Sequence, residues 1–203
     1  MKNLERFSTI FLIAGFFSFI LAFSVLGLWP AIMTNKLVNT GLPEVIPSNF
    51  KIYYKTVDDY QKGLLLGRDI YVKEACWHCH SQYVRPVGNE SSRYGLVSTA
   101  GEYQNKLNLP HLFGTRRVGP DLTREAGKRT NDWHFAHLYN PKFTEPESIM
   151  PAYTWYFDKT VKPPKPKKEA IALVAYLQNL GLQVSNLNND KNDLNSITMP
   201  PLP

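Results

Sequence analysis

Cysteine is scarce in this chain of 203 residues: only Cys76 and Cys79 are present. A structural zinc site needs a second pair of ligands at metal spacing, and no further cysteine supplies one. A disulfide or a thioredoxin-like dithiol would use both thiols but would leave the adjacent His80 without a role. Charge is missing from residues 7–29, which excludes an ordinary surface helix there. An arginine–aromatic pattern of the kind that binds nucleic acid is also lacking. The net charge of +6 therefore fits a solvated basic face, an anionic protein surface or a membrane better than DNA.

What is present is Cys76-Trp77-His78-Cys79-His80, a C-x-x-C-H run. This spacing reads as a c-type haem attachment site: each thiol can form a thioether to a haem vinyl group, and the histidine beside the second cysteine can turn a ring nitrogen toward the iron. The chain is long enough for one domain of ordinary size plus appendages. Its hydrophobic content of 43% is partly concentrated near the N-terminus. The remainder is a fairly polar globule whose core a large apolar cofactor would complete.

Residues 1–29 read as a cytoplasmic tip and a transmembrane anchor, because at about 1.5 Å per residue the uncharged run spans the ~30 Å hydrocarbon layer. A cleaved signal peptide would have a shorter apolar region and a small-x-small site. Trp29-Pro30 looks like an interfacial anchor followed by a helix stop. Lys2 and Arg6 before the span, against Lys36 after it, lean toward a cytoplasmic N-terminus. Covalent haem attachment takes place outside the bacterial cytoplasmic membrane, so the rest of the chain is expected in the periplasm.

Residues 30–56, with Pro30, Gly41, Pro43 and Pro47, read as a connector lying on a partner or on the membrane. Residues 57–182 form the expected haem domain, and 183–203 an Asn-rich tail. Thr56-Val57-Asp58-Asp59 is a capping pattern, and Val57, Tyr60, Leu64, Gly67, Tyr71 and Ala75 follow at helical spacing. This helix delivers the chain to Cys76, and Gly67 in its stripe suits the close approach of another helix. A helix over 166–180 is the expected partner, with Pro166 at its start, Ile171, Val174, Leu177 and Leu180 on its apolar face, and Gly181 as its stop; Tyr176 or Leu177 would cover Gly67.

Of the four methionines, Met1 is the initiator, Met33 adjoins the membrane and Met199 lies in the tail, which leaves Met150 as a thioether donor. Pro146 and Pro151 stiffen its loop. A core methionine filling a gap fits these residues equally well. His134 and His137 lie three apart on a short helix that starts near Asn131 and stops before Pro141. One helix face bearing two histidines can bind metal or displace a methionine, although such residues are more often surface or capping histidines. His111, beside Pro110, reads the same way.

Further motifs are Ser81-Gln82-Tyr83-Val84-Arg85-Pro86, Arg93-Tyr94-Gly95, Gly119-Pro120-Asp121-Leu122, Trp133-His134, Leu138-Tyr139-Asn140-Pro141 and Pro146-Glu147-Ser148-Ile149-Met150-Pro151-Ala152-Tyr153. Together with the single anchor, they resemble the mono-haem cytochrome c subunit, subunit II, of cbb(3)-type cytochrome c oxidases, from the anchor through residue 180. Tyr83-Val84 departs from the family's frequent methionine–isoleucine pair.

The resemblance implies a mostly α fold: a single N-terminal transmembrane helix plus a class I cytochrome c-like domain of three to five helices around one covalently bound haem c. It implies His80 and Met150 as axial ligands of the iron, Cys76 and Cys79 as attachment points, and the Pro120 carbonyl as acceptor of the His80 Nδ1–H. Arg85 and Arg93 are implied propionate contacts, with Tyr94 beside them, and Ser98 an implied calcium contact at the interface with the catalytic subunit. The implied function is electron relay in aerobic respiration, from a di-haem cytochrome c subunit to an integral-membrane haem-copper subunit. No residue need do acid–base or nucleophilic work. The alternatives are the small cytochrome subunit of a nitric oxide reductase, which would lack the R-P and R-Y-G segments, and a membrane-tethered thiol-disulfide oxidoreductase. Lys162, Lys165, Lys167 and Lys168 read as a solvated entry to the last helix rather than a docking patch.

Overall fold

The computed structural model describes residues 2–36, 42–103, 105–114 and 116–182. It is mostly helical and divides into two compact units, residues 1–40 and 41–203. The expected tail, 183–203, lies outside the described residues.

The described residues of the first unit form one continuous helical run: α1 (Lys2–Ala22), a π-helical turn (Phe23–Leu28) and α2 (Trp29–Lys36). Residues 7–33 are long and apolar enough to cross a membrane, with a mean hydropathy of 2.5 and no part of the most apolar window buried inside the protein. The helix stop expected at Trp29-Pro30 is absent, because the helix runs on to Lys36. The reason lies just upstream, where the Trp29 N–H bonds to the Ser24 carbonyl, a wider turn than the α-helical one. Such a turn changes how carbonyls meet the proline, which has no N–H of its own and would otherwise crowd the turn before it.

In the second unit, α3 (Val57–Lys73) begins where the capping pattern places it. The Asp59 N–H donates to the Thr56 hydroxyl oxygen at 3.2 Å, and Asp58 and Asp59 sit in the positively polarised first turn. The helix packs against α7 (Lys168–Asn179), and Gly67 is the point of closest approach. A Cβ built there would stand 2.0 Å from the Ala172 carbonyl oxygen and 2.8 Å from the Tyr176 Cβ. Glycine at 67 is therefore a packing requirement.

Helix α7 is shorter than its expected span. Its first turn starts at Lys168 because Lys165–Pro166 form a short strand, β2, paired antiparallel with β1 (Phe157–Asp158). Gly181, at φ 92°, supplies the left-handed stop. Burial runs nearly all round α7: Leu173, Val174 and Tyr176 are almost wholly inaccessible.

Residues 42–56 carry core side chains. Phe50 is fully buried, Tyr54 nearly so, and both rings pack against Tyr60 of α3, Phe50 tilted and Tyr54 edge-on. The Tyr54 ring lies over Gly63, where an added Cβ would meet its hydroxyl at 2.5 Å. The short helices α4 (Cys76–Cys79) and α5 (Glu90–Tyr94) follow, and α6 (Asn131–Tyr139) starts on a Thr130 cap.

Candidate haem site

Helix α3 ends at Lys73, and the chain must turn sharply to start α4 three residues later. Ala75 makes that turn in the left-handed region, at φ 56° and ψ 30°. A non-glycine residue adopts this conformation at a cost, and such strain gathers where a site dictates the path of the chain. The single turn of α4 then sets Cys76 and Cys79 on one face. Both are free thiols, Cys76 partly buried against the core and Cys79 exposed. Burial pushes the Cys76 thiol up to about 11, against the pull of a hydrogen bond with the Tyr153 side chain.

His80 follows in extended conformation, and its backbone N–H donates to the Cys76 carbonyl at 2.8 Å. Its ring is held from below: Nδ1–H donates to the Pro120 carbonyl at 2.9 Å. A carbonyl can only accept, so the proton is on Nδ1 and the Nε2 lone pair is left bare. Burial lowers the pKa of His80, and the Pro120 bond and the Asp121 charge oppose that shift. Gly119 brings the loop against the ring, since a Cβ there would fall 2.3 Å from His80 Cε1. The loop is pinned by Gly119 N–H to the Cys79 carbonyl at 3.0 Å and Leu122 N–H to the Ser81 carbonyl at 2.9 Å. On the other side, the buried Tyr71 hydroxyl donates to the His80 carbonyl at 2.6 Å.

Met150 is partly buried against the same core as Cys76 and Trp77. Its N–H donates to the Ser148 hydroxyl at 3.2 Å. Three residues on, the Tyr153 side chain lies close enough to the Cys76 thiol for each to shift the other's pKa, so the methionine segment runs beside the attachment turn. Two free thiols on one helical turn, an imidazole with a bare Nε2, a glycine cradle against that ring and a thioether packed on the same core are a donor set that fits a covalently held haem.

Arg85 and Arg93, the expected propionate contacts, both have partners within the protein. Arg85 Nε donates to Glu90 Oε1 at 2.6 Å and its backbone N–H to Glu90 Oε2 at 2.9 Å. Arg117, which the motifs did not single out, pairs with Glu90 as well and reaches Asp121 at 3.4 Å. Arg85 foremost, with Arg117 after it, holds the Glu90 carboxyl down to about 2. Arg93 packs on the Tyr94 ring at 5.0 Å and Arg117 on the same ring at 5.6 Å. The Ser98 hydroxyl accepts the Val84 N–H at 3.0 Å. Arg117 stands out in the sequence only as one more loop arginine near the haem segment, and nothing local marks Glu90 or their pairing, which spans 27 residues.

His134 is buried with Nε2 3.6 Å from Glu125, and burial foremost pushes it down to about 4. His137 is hydrogen-bonded to Thr144, and His111 stacks on Phe113 at 4.9 Å. Among the described residues, no three His, Cys, Asp or Glu side chains are grouped to hold a metal ion.

Residues 2–165 match the family described as cytochrome c oxidase, mono-haem subunit/FixO. The chain belongs to this family. It is accordingly a mono-haem cytochrome c subunit of a multi-subunit oxidase, and its apolar N-terminal helix fits a membrane-anchored member. No curated protein matches the chain. The residues that the family resemblance marks, from Cys76 through Met150, all fall inside the matched span, whereas α7, which closes over Gly67, lies beyond it.

Proposed function

We propose that this subunit relays electrons in a cbb(3)-type terminal oxidase, from the di-haem cytochrome c subunit to the catalytic haem-copper subunit. The observation that carries the reading is the Nδ1–H bond from His80 to Pro120 at 2.9 Å, which leaves Nε2 bare one residue after two free thiols. Cys76 and Cys79 would hold the haem covalently, with His80 and Met150 as its axial ligands. Haem held there supplies a one-electron iron couple, and a thioether ligand favours the ferrous form and so raises its potential. The chain's own residues do the positioning: Pro120 and Gly119 fix the imidazole, Tyr71 fixes its backbone, and the Tyr153 N–H anchors the Met150 segment to the Leu138 carbonyl of α6. The N-terminus would be cytoplasmic and the haem domain periplasmic. A calcium contact at Ser98 rests on the family resemblance; the hydroxyl here already accepts the Val84 N–H.

A thiol-disulfide oxidoreductase needs a thiol that ionises readily. The thiol of Cys76 is pushed the other way, to about 11, which argues against that alternative. The R-P and R-Y-G segments, here locked around Glu90 and Tyr94, argue against the nitric oxide reductase subunit. Gentle solubilisation tests the assignment: the chain should co-purify with a polytopic subunit carrying b-type haem and copper. Recovery of the fully haem-loaded chain alone would contradict it.

A further inference from the structure

His137 is not needed to explain haem attachment, yet it stands at the root of the segment that carries Met150. Its Nδ1 and the Thr144 hydroxyl are hydrogen-bonded at 2.6 Å. From Thr144 the bonds run on along the loop. The N–H groups of Thr144 and Glu145 donate to the Pro141 carbonyl at 3.1 and 2.9 Å, the Ser148 N–H donates to the Glu145 carbonyl at 2.9 Å, and the Met150 N–H reaches the Ser148 hydroxyl at 3.2 Å. The far end is held by the next residue of α6, because the Tyr153 N–H donates to the Leu138 carbonyl at 2.8 Å. Two adjacent residues of one helix therefore grip both ends of the loop.

The His137 ring is itself fixed. It stacks on Trp133 with centroids 4.7 Å apart and planes at 10°, and Arg129 packs on the same indole at 5.1 Å. Burial lowers its pKa, and the Glu145 charge opposes that shift.

We propose that His137 is a positioning residue that holds the Met150 loop through Thr144 and so keeps the thioether in place. The inference rests on Met150 being an iron ligand. Loss of the bond should loosen the loop without disturbing the packed rings, because phenylalanine keeps the stack on Trp133 and removes only the polar edge.

The test uses the full-length ferric protein in detergent, titrated with imidazole, with the red charge-transfer band of sulfur-ligated haem as readout. A single hydrogen bond lost from this loop should make imidazole bind about three- to tenfold more tightly. His137→Phe should show that gain, Thr144→Val, which also removes the bond from the Thr144 hydroxyl to the Pro141 carbonyl, at least as much, and the double variant no more than Thr144→Val alone. His137→Asn, which puts a polar group back near the Nδ1 position, should restore part of the wild-type value, and His111→Phe, a stacked histidine elsewhere, should leave it unchanged. Wild-type affinity in His137→Phe, or an effect of His137→Phe that Thr144→Val does not share, would overturn the proposal. Met150→Ala separates the two levels: if the band survives there, the ligand assignment fails and this inference with it.

Discussion

The Nδ1–H of His80 donates to the Pro120 carbonyl at 2.9 Å, and the ring rests so closely on Gly119 that a methyl group there would fall 2.3 Å from Cε1. One loop thus sets both the tautomer of the imidazole and its tilt, which is how a carbonyl partner makes a histidine a well-aimed and stronger donor.

Gly119→Ala should push the imidazole off its axis. Overpacking of this kind costs about 1–3 kcal/mol, and here it falls on the proposed iron bond. Visible spectra of the purified ferric protein should show a loss of the low-spin form relative to wild type. A fully low-spin spectrum would mean that the ring can move without leaving the iron.

Gly67→Ala meets a harder obstacle, because the atom in the way is the Ala172 backbone carbonyl oxygen at 2.0 Å, and neither helix can yield alone. Denaturant unfolding should show a destabilisation of about 3 kcal/mol. A change under about 1 kcal/mol would show that α3 and α7 have room to separate.

Ala75 occupies the left-handed region at φ 56°. Ala75→Gly removes that cost, about 1–2 kcal/mol, and adds back some unfolded-state entropy, for a net gain of about 0.5–1 kcal/mol. Thermal unfolding checks the sign: a lower midpoint than wild type would contradict the strain at the entrance to the attachment turn.

Acid should weaken the domain through His134. Burial pushes this imidazole down to about 4, whereas in the unfolded chain it titrates near 6.5. Between those values the unfolded state binds the additional proton. Stability therefore rises with pH across the window and falls as the pH drops from about 6.5 toward 4, by up to about 3 kcal/mol. Glu125, raised by burial, works in the opposite sense and reduces the slope. Urea unfolding at several pH values should show the decline, and His134→Phe should flatten it; an equal slope in the variant would place the titrating group elsewhere.

Much of this was legible from short-range pattern. The Thr56 cap, the α6 helix before Pro141 and the C-x-x-C-H turn depend on residues within a few positions of one another, where spacing maps directly onto helical geometry, and Gly67 stood out as a gap in a helical stripe although the backbone it meets, at Ala172, is far along the chain. The Pro120 bond was reachable only through the family resemblance, since it joins residues 40 apart. The Glu90 cluster was not reachable at all: Arg85 looks like any loop arginine until Glu90 and Arg117 are seen to meet. Phe50 and Tyr54 were misread as part of a connector because their prolines and irregular spacing mask an aromatic cluster that forms only against Tyr60. The helix through Pro30 was missed because a proline normally ends a helix, and the widened turn before it has no signature in residue type.

The central claim is that Cys76 and Cys79 hold haem covalently, and a haem-stained denaturing gel of membranes expressing the chain tests it most directly. The account predicts peroxidase staining on the 23.2 kDa band in the wild type, and none once both cysteines are replaced by alanine. A wild-type band that carries no haem after denaturation would contradict it.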